Sequence, residues 1–142
     1  MNKSLIILGV ILSLMGVAAC SSDVSQEQRA MTTAKKYYEQ LVAGDYEGFV
    51  ESTVISQDSL PADYKEQLVL NAKMYMERMQ DEHHGIRSVK AIRAQVDTLK
   101  APGSDEIGAV TAQAYISLGF ADSTKEEILV PMVLKDDVWY LR

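Results

Sequence analysis

The chain has 142 residues, of which 20 are acidic and 14 basic, for a formal charge of −6. That balance excludes a nucleic-acid binder that tracks phosphates and excludes electrostatic adhesion to anionic lipid. The single cysteine, Cys20, excludes an internal disulfide and a cysteine-held metal site.

The first four residues carry Lys3 and no acid, and the stretch from Leu5 to Ala19 is apolar except for Ser13 and two glycines. A short basic start, an apolar run and small residues before a cut are the layout of an export signal. As a helix the run reaches roughly 22 Å at ~1.5 Å per residue, short of the ~30 Å hydrocarbon core a retained span must cross. The run ends in Val17-Ala18-Ala19-Cys20, which resembles the lipobox of bacterial lipoproteins. The resemblance implies cleavage between Ala19 and Cys20, a diacylglyceryl group on the Cys20 thiol and acylation of the new amino terminus. More than one acyl chain makes such attachment stable. Residues 1–19 are then a lipoprotein signal peptide, and residues 20–25 a lipidated cysteine with a short polar tether. Ser21 stands where an inner-membrane retention aspartate is placed in enteric bacteria. The expected location is therefore the cell envelope, at the outer membrane in preference to the inner.

Loss of the signal takes away Lys3 and no acid, moving the formal charge from −6 to −7. Residues 26–142 are enough for one domain and for a core that holds it without cross-links. From Gln26 to Ala43, Met31, Ala34, Tyr38 and Leu41 recur at helical spacing. Gly44 is placed for a left-handed cap, and Asp45 to cap a second, short helix carrying Tyr46, Phe49 and Val50 inward. Val54 and Ile55 are extended in tendency but too few for a strand. A long helix starts at Ser59 with Pro61 in its first turn. It carries a stripe of Tyr64, Leu68, Ala72, Tyr75, Met76 and Met79, and stops near His84 with Gly85 as its left-handed end.

From Ile86 the period changes to alternation. Val89–Leu99 sets Ile92, Ala94 and Val96 against Arg93, Gln95 and Asp97. Ile107–Phe120 sets Val110, Ala112, Ala114, Ile116 and Leu118 against Thr111, Gln113, Tyr115 and Ser117. Glu126–Lys135 and Val138–Arg142 complete four strands joined by short turns, an antiparallel meander. The expected class is α+β, three N-terminal helices packed on a curved four-stranded antiparallel sheet. In the third strand Leu129, Pro131 and Val133 occupy the face opposite Ile128, Val130, Met132 and Leu134. An apolar outer face suits a second covering surface, so these three form a candidate dimer face for a homodimer. Pro131 cannot donate to a ladder and marks a bulge or unpaired position.

The segment Tyr37-Tyr38-Glu39-Gln40-Leu41-Val42-Ala43-Gly44-Asp45-Tyr46 resembles the opening of the NTF2-like, cystatin-like α+β superfamily. The ending Leu134-Lys135-Asp136-Asp137-Val138-Trp139-Tyr140-Leu141-Arg142 resembles that superfamily's closing hairpin. With the lipobox, the chain is similar to DUF4878-type lipoproteins of Bacteroidota. The resemblance implies a sheet and long helix enclosing a conical pocket, in a superfamily that holds both enzymes and non-catalytic modules.

Tyr38, Tyr64, Tyr75, Tyr115 and Trp139 are the candidate pocket-lining residues, each with an apolar body and a polar tip; Tyr140 belongs to the same amphipathic set. An isomerase-like enzyme would need a carboxylate base facing a phenol, and Asp97 and Asp81 are the candidates. His83 and His84 are adjacent on a helix and diverge by about 100°, which suits a polar helix end better than one metal. Asp105-Glu106 and Glu126-Glu127 read as turn and strand-end charges. No phosphate loop, serine elbow or two-histidine metal motif is present. The expectation is a non-catalytic, lipid-anchored module with no cofactor and no metal. It binds a small apolar ligand or an envelope protein, touches the membrane through its lipid, and does not bind nucleic acid.

Overall fold

A computed structural model describes residues 24–142. The signal segment, its cleavage point at Ala19 and Cys20, and most of the tether lie outside the described residues.

Helix α1 (Gln26–Val42) starts where the Ser25 hydroxyl accepts from Gln28 N, 3.1 Å away, supplying an acceptor for one of the free N–H groups of the first turn. It ends as its glycine requires. Gly44 takes φ +87°, and Asp45 N donates back to Gln40 O at 2.9 Å. The Asp45 carboxylate accepts from Gly48 N at 3.0 Å and so begins α2 (Tyr46–Glu51). Val54–Gln57 forms a short 3-10 turn instead of extended chain. Thr53, just before it, makes a parallel bridge to Leu141.

Helix α3 (Ala62–His83) begins later than the sequence suggests. Pro61 lies outside the helix with ψ 145°, and its carbonyl takes the first helical bonds, from Tyr64 N and Lys65 N. The residue before a proline is disfavoured in helical conformation, so the helix cannot run back through Leu60 to Ser59. The other end falls where expected, with one addition. His84 is itself left-handed, at φ 64°, and Gly85 follows at φ 104°.

Four strands, β1 (Ile86–Lys100), β2 (Ile107–Phe120), β3 (Lys125–Lys135) and β4 (Val138–Leu141), form one antiparallel sheet in sequence order. The fold class is thus α+β, with three helices and a four-stranded antiparallel meander. Asp136 and Asp137, at φ 51° and 64°, form the two-residue β3–β4 turn, whose twist matches the flanking strands.

Two expectations about the strands are overturned. Ile92 is exposed, because the register shifts between Ala91 and Arg93 and leaves Ile92 as the extra residue of a bulge. Val89 and Ala91 therefore face inward before it, and Ala94 and Val96 after it. Pro131 is not at a bulge: it pairs with Gln113 in an unbroken register. Its carbonyl accepts from Arg142 N at 3.0 Å. The N and C=O of one strand residue point to the same side, so the missing donor faces the end of β4 and costs β2 nothing.

The core lies between α1 and the inner sheet face. Ala30 and Ala34 are fully buried and let α1 approach closely, against Ala112, Ala114, Ile116, Leu118, Val130, Met132 and Trp139. Helix α3 is attached more thinly, with only Ala72 and Met79 buried along its length.

Candidate functional site

The thin attachment of α3 leaves a gap between it and the other helices. This gap is a cavity of about 390 Å³. Tyr38 and Leu41 of α1 form one wall, and Phe49 and Val50 of α2 another. Thr53 and Ile55 close one side. Leu68, Asn71, Ala72 and Tyr75 of α3 face them, and Arg142 contributes the end of the sheet. Helical spacing explains the contribution of α3, since positions 68, 72 and 75 share one face.

Two of the five expected lining residues are present here, Tyr38 and Tyr75. The other three lie elsewhere. Trp139 is 2 % exposed and belongs to the α1–sheet core, where its indole Nε1 donates to Gln26 Oε1 at 3.0 Å. Tyr115 is on the outer sheet face, with the Arg93 guanidinium 4.0 Å above its ring. Arg93 in turn pairs with Glu127 at 2.8 Å. Tyr64 is exposed on the first turn of α3. The expected conical pocket under the sheet is displaced, which accounts for Trp139; strand alternation turns Tyr115 outward, and Tyr64 lies on the exposed first turn of α3. α1 fills the inner sheet face, so the open volume lies between helices. The α3 stripe already held Leu68, Ala72 and Tyr75, while Asn71 and Arg142 are lining groups that it did not single out.

The site is mainly apolar with a few donors. The Tyr38 ring meets Phe49 edge-on, centroids 5.4 Å apart. Burial, and next the neighbouring Tyr75, push the Tyr38 phenol up to about 12. Burial also raises Tyr75, helped by Glu126 and opposed by Arg78. Both phenols therefore stay protonated donors at neutral pH. The Tyr37 hydroxyl is committed to Trp139 O at 2.7 Å. Among the described residues no such bond engages the hydroxyl of Tyr38 or Tyr75. Among the described residues, Arg142 is the only one in the lining with a charged side chain, and no acidic side chain or histidine belongs to it.

The remaining candidates do not converge on it. Asp97 and Asp81 are exposed and outside the cavity. Among the described residues no group of three His, Cys, Asp or Glu side chains could hold a metal ion. His83 has a structural role that its neighbours in sequence did not reveal. Its Nδ1 lies 3.0 Å from Asp122 Oδ2, and its ring stacks on Phe120 with centroids 4.0 Å apart. Asp122 also accepts from Thr124 N and Thr124 Oγ1. The pair closes the end of α3 onto the β2–β3 turn. Leu129 and Pro131 are exposed and Val133 half-buried on the outer sheet face.

No family model matches the chain, and no curated protein matches it. A Campylobacter jejuni structure named "putative NTF2-like transpeptidase" is similar at 16 % identity with a TM-score of 0.49, covering 78 % of this chain and 94 % of that one. A likeness of that size assigns neither family nor activity. Among the described residues no helix is long and apolar enough to cross a membrane.

Proposed function

We propose that this protein is a lipid-anchored envelope lipoprotein whose NTF2-like domain binds a small, mainly apolar ligand without transforming it. The anchor reading is supported by the lipobox-like Val17-Ala18-Ala19-Cys20. The ligand reading is carried by the cavity between α1, α2 and α3. At about 30 Å³ per water-sized volume, it admits on the order of a dozen non-hydrogen atoms. Its walls suit an aliphatic or aromatic body, and Tyr38, Tyr75, Asn71 and Arg142 suit a hydrogen-bond-accepting end. Among the described residues no acidic side chain lines the cavity, which favours binding over proton abstraction.

Thermal-shift and calorimetric titration with medium-chain alcohols and the matching carboxylic acids tests this. At least one series should bind with one-site stoichiometry, and Ala72→Phe, which fills the cavity, should abolish binding while the circular dichroism spectrum is kept. Binding unaffected by Ala72→Phe, or no binding by either series, removes the reading. Acyl labelling of Cys20, lost in Cys20→Ala, tests the anchor separately.

A second reading, a dimerising envelope subunit, is favoured by the exposed neighbours Leu129 and Pro131 on the outer sheet face. A monomeric mass at high concentration would remove it.

A further inference from the structure

Three features meet at one end of the sheet. The β1–β2 hairpin turns there, since Lys100 pairs with Ile107 and Leu99 with Ala109. The β3–β4 turn lies at the same end, because Thr111 pairs with both Asp97 and Val133, two residues before Lys135. The start of α1 is held there too: Arg29 Nη2 donates to Asp137 O at 2.9 Å, and Trp139 Nε1 reaches Gln26. The chain therefore enters the domain at the end where the β1–β2 hairpin, paired out to Ile107, runs beyond the β2–β3 pairing, which ends at Thr111.

That end is apolar where an exposed hairpin ordinarily is not. Leu99 is 52 % exposed and Ile107 63 %, with Val24 and Val138 exposed nearby. Pro102 and Gly103 form the tip. The opposite end, at the β2–β3 turn, carries Asp122, Ser123, Thr124 and Lys125. Cys20 precedes Val24 by four residues, and four extended residues span at most about 14 Å. A lipid on Cys20 would hold this end, and not the β2–β3 end, within a hairpin's length of the bilayer.

We propose that the β1–β2 hairpin tip is a membrane-contact surface, with Leu99 and Ile107 entering the headgroup region beside the anchored amino terminus. This rests on the reading of Cys20 as lipidated. The partner is a lipid surface, and the contact is apolar, not electrostatic. Asp105, Glu106, Asp136 and Asp137 outnumber Lys100, Lys135 and Arg29 at this end, and Lys100 is already within 3.9 Å of Asp105. Zwitterionic lipid suits this balance; anionic lipid would oppose it.

The test uses amide hydrogen exchange on two preparations. One is the full chain recovered from bacterial membranes and reconstituted in phosphatidylcholine vesicles. The other begins at Cys20, coupled through its thiol to a maleimide lipid in the same vesicles; it retains every helix and strand of the fold. Amides 98–108 should exchange several-fold more slowly on vesicles than in free protein, while amides 120–125 are unchanged. Leu99→Asp with Ile107→Asp should abolish the slowing and leave the fold intact by circular dichroism. Unchanged exchange of 98–108 in the thiol-coupled protein overturns the contact. Slowing that survives the double substitution, or that appears in free protein as concentration rises, overturns it in favour of tether crowding or self-association. A full chain without acyl groups removes the anchor reading alone, since the thiol-coupled protein still reports on the contact.

Discussion

Tyr37 and Trp139, 102 residues apart, are joined by a hydrogen bond of 2.7 Å from the phenol to the tryptophan carbonyl. The same tryptophan donates its indole N–H to Gln26. The start and middle of α1 are thus both fastened to β4, the shortest strand. Tyr37→Phe removes the donor while keeping the ring, and should lower unfolding free energy by about 1 kcal/mol in urea denaturation. Trp139→Ala, which also empties core volume, should cost about 3–5 kcal/mol. A Tyr37→Phe protein as stable as the parent would show that water replaces the bond at no cost.

Asp122 gives acid sensitivity a location. Its hydrogen bonds, first those from Thr124 and then that from His83, lower its carboxyl from 3.8 to about 2. A depressed folded value means that its stabilisation is fully present above pH 3.8 and is lost as pH falls towards about 2. The melting temperature of Asp122→Asn should lie below that of the parent at neutral pH, and the two should converge over that window. A constant difference across it would show that the stabilisation does not come from the charge.

Tyr38 contributes to the alkaline limit in the same way with opposite sign. Burial raises it from 10.0 to about 12, so its contribution is present below pH 10 and is lost as pH rises through about 12. Ultraviolet titration should show buried phenols, Tyr37, Tyr38 and Tyr75, ionising after the exposed ones, and Tyr38→Phe should remove the latest of them. Unfolding of the parent between those values should be steeper than that of the variant. A ligand seated against the phenol should delay its ionisation further.

His84 holds a left-handed conformation, φ 64°, at the end of α3. That region costs a residue with a Cβ roughly 1 kcal/mol relative to glycine. His84→Gly should therefore raise stability by about 1 kcal/mol in thermal or urea unfolding, without altering ligand binding. A destabilised variant would show that the imidazole makes a compensating contact.

The helices, the change of period at Ile86 and the four-strand meander were legible because they depend on local chemistry. Gly44-Asp45 specifies a stop and a start, and strict alternation from Ile107 to Phe120 specifies a half-buried strand. Ile92 was misplaced because one extra residue reverses every later side chain, and alternation on either side of a bulge looks the same. Pro131 was misjudged because whether a missing donor matters depends on which neighbour it faces.

The sequence by itself determined the elements, their order, the antiparallel pairing and the single cysteine. Only the tertiary structure decided where the open volume lies. Two alanines, Ala30 and Ala34, bring α1 against the sheet, while α3 buries just Ala72 and Met79. That unequal packing places Tyr38 and Tyr75 at a cavity and commits Trp139 to the core, because burial is set by what packs on a face and not by the residue's own polarity.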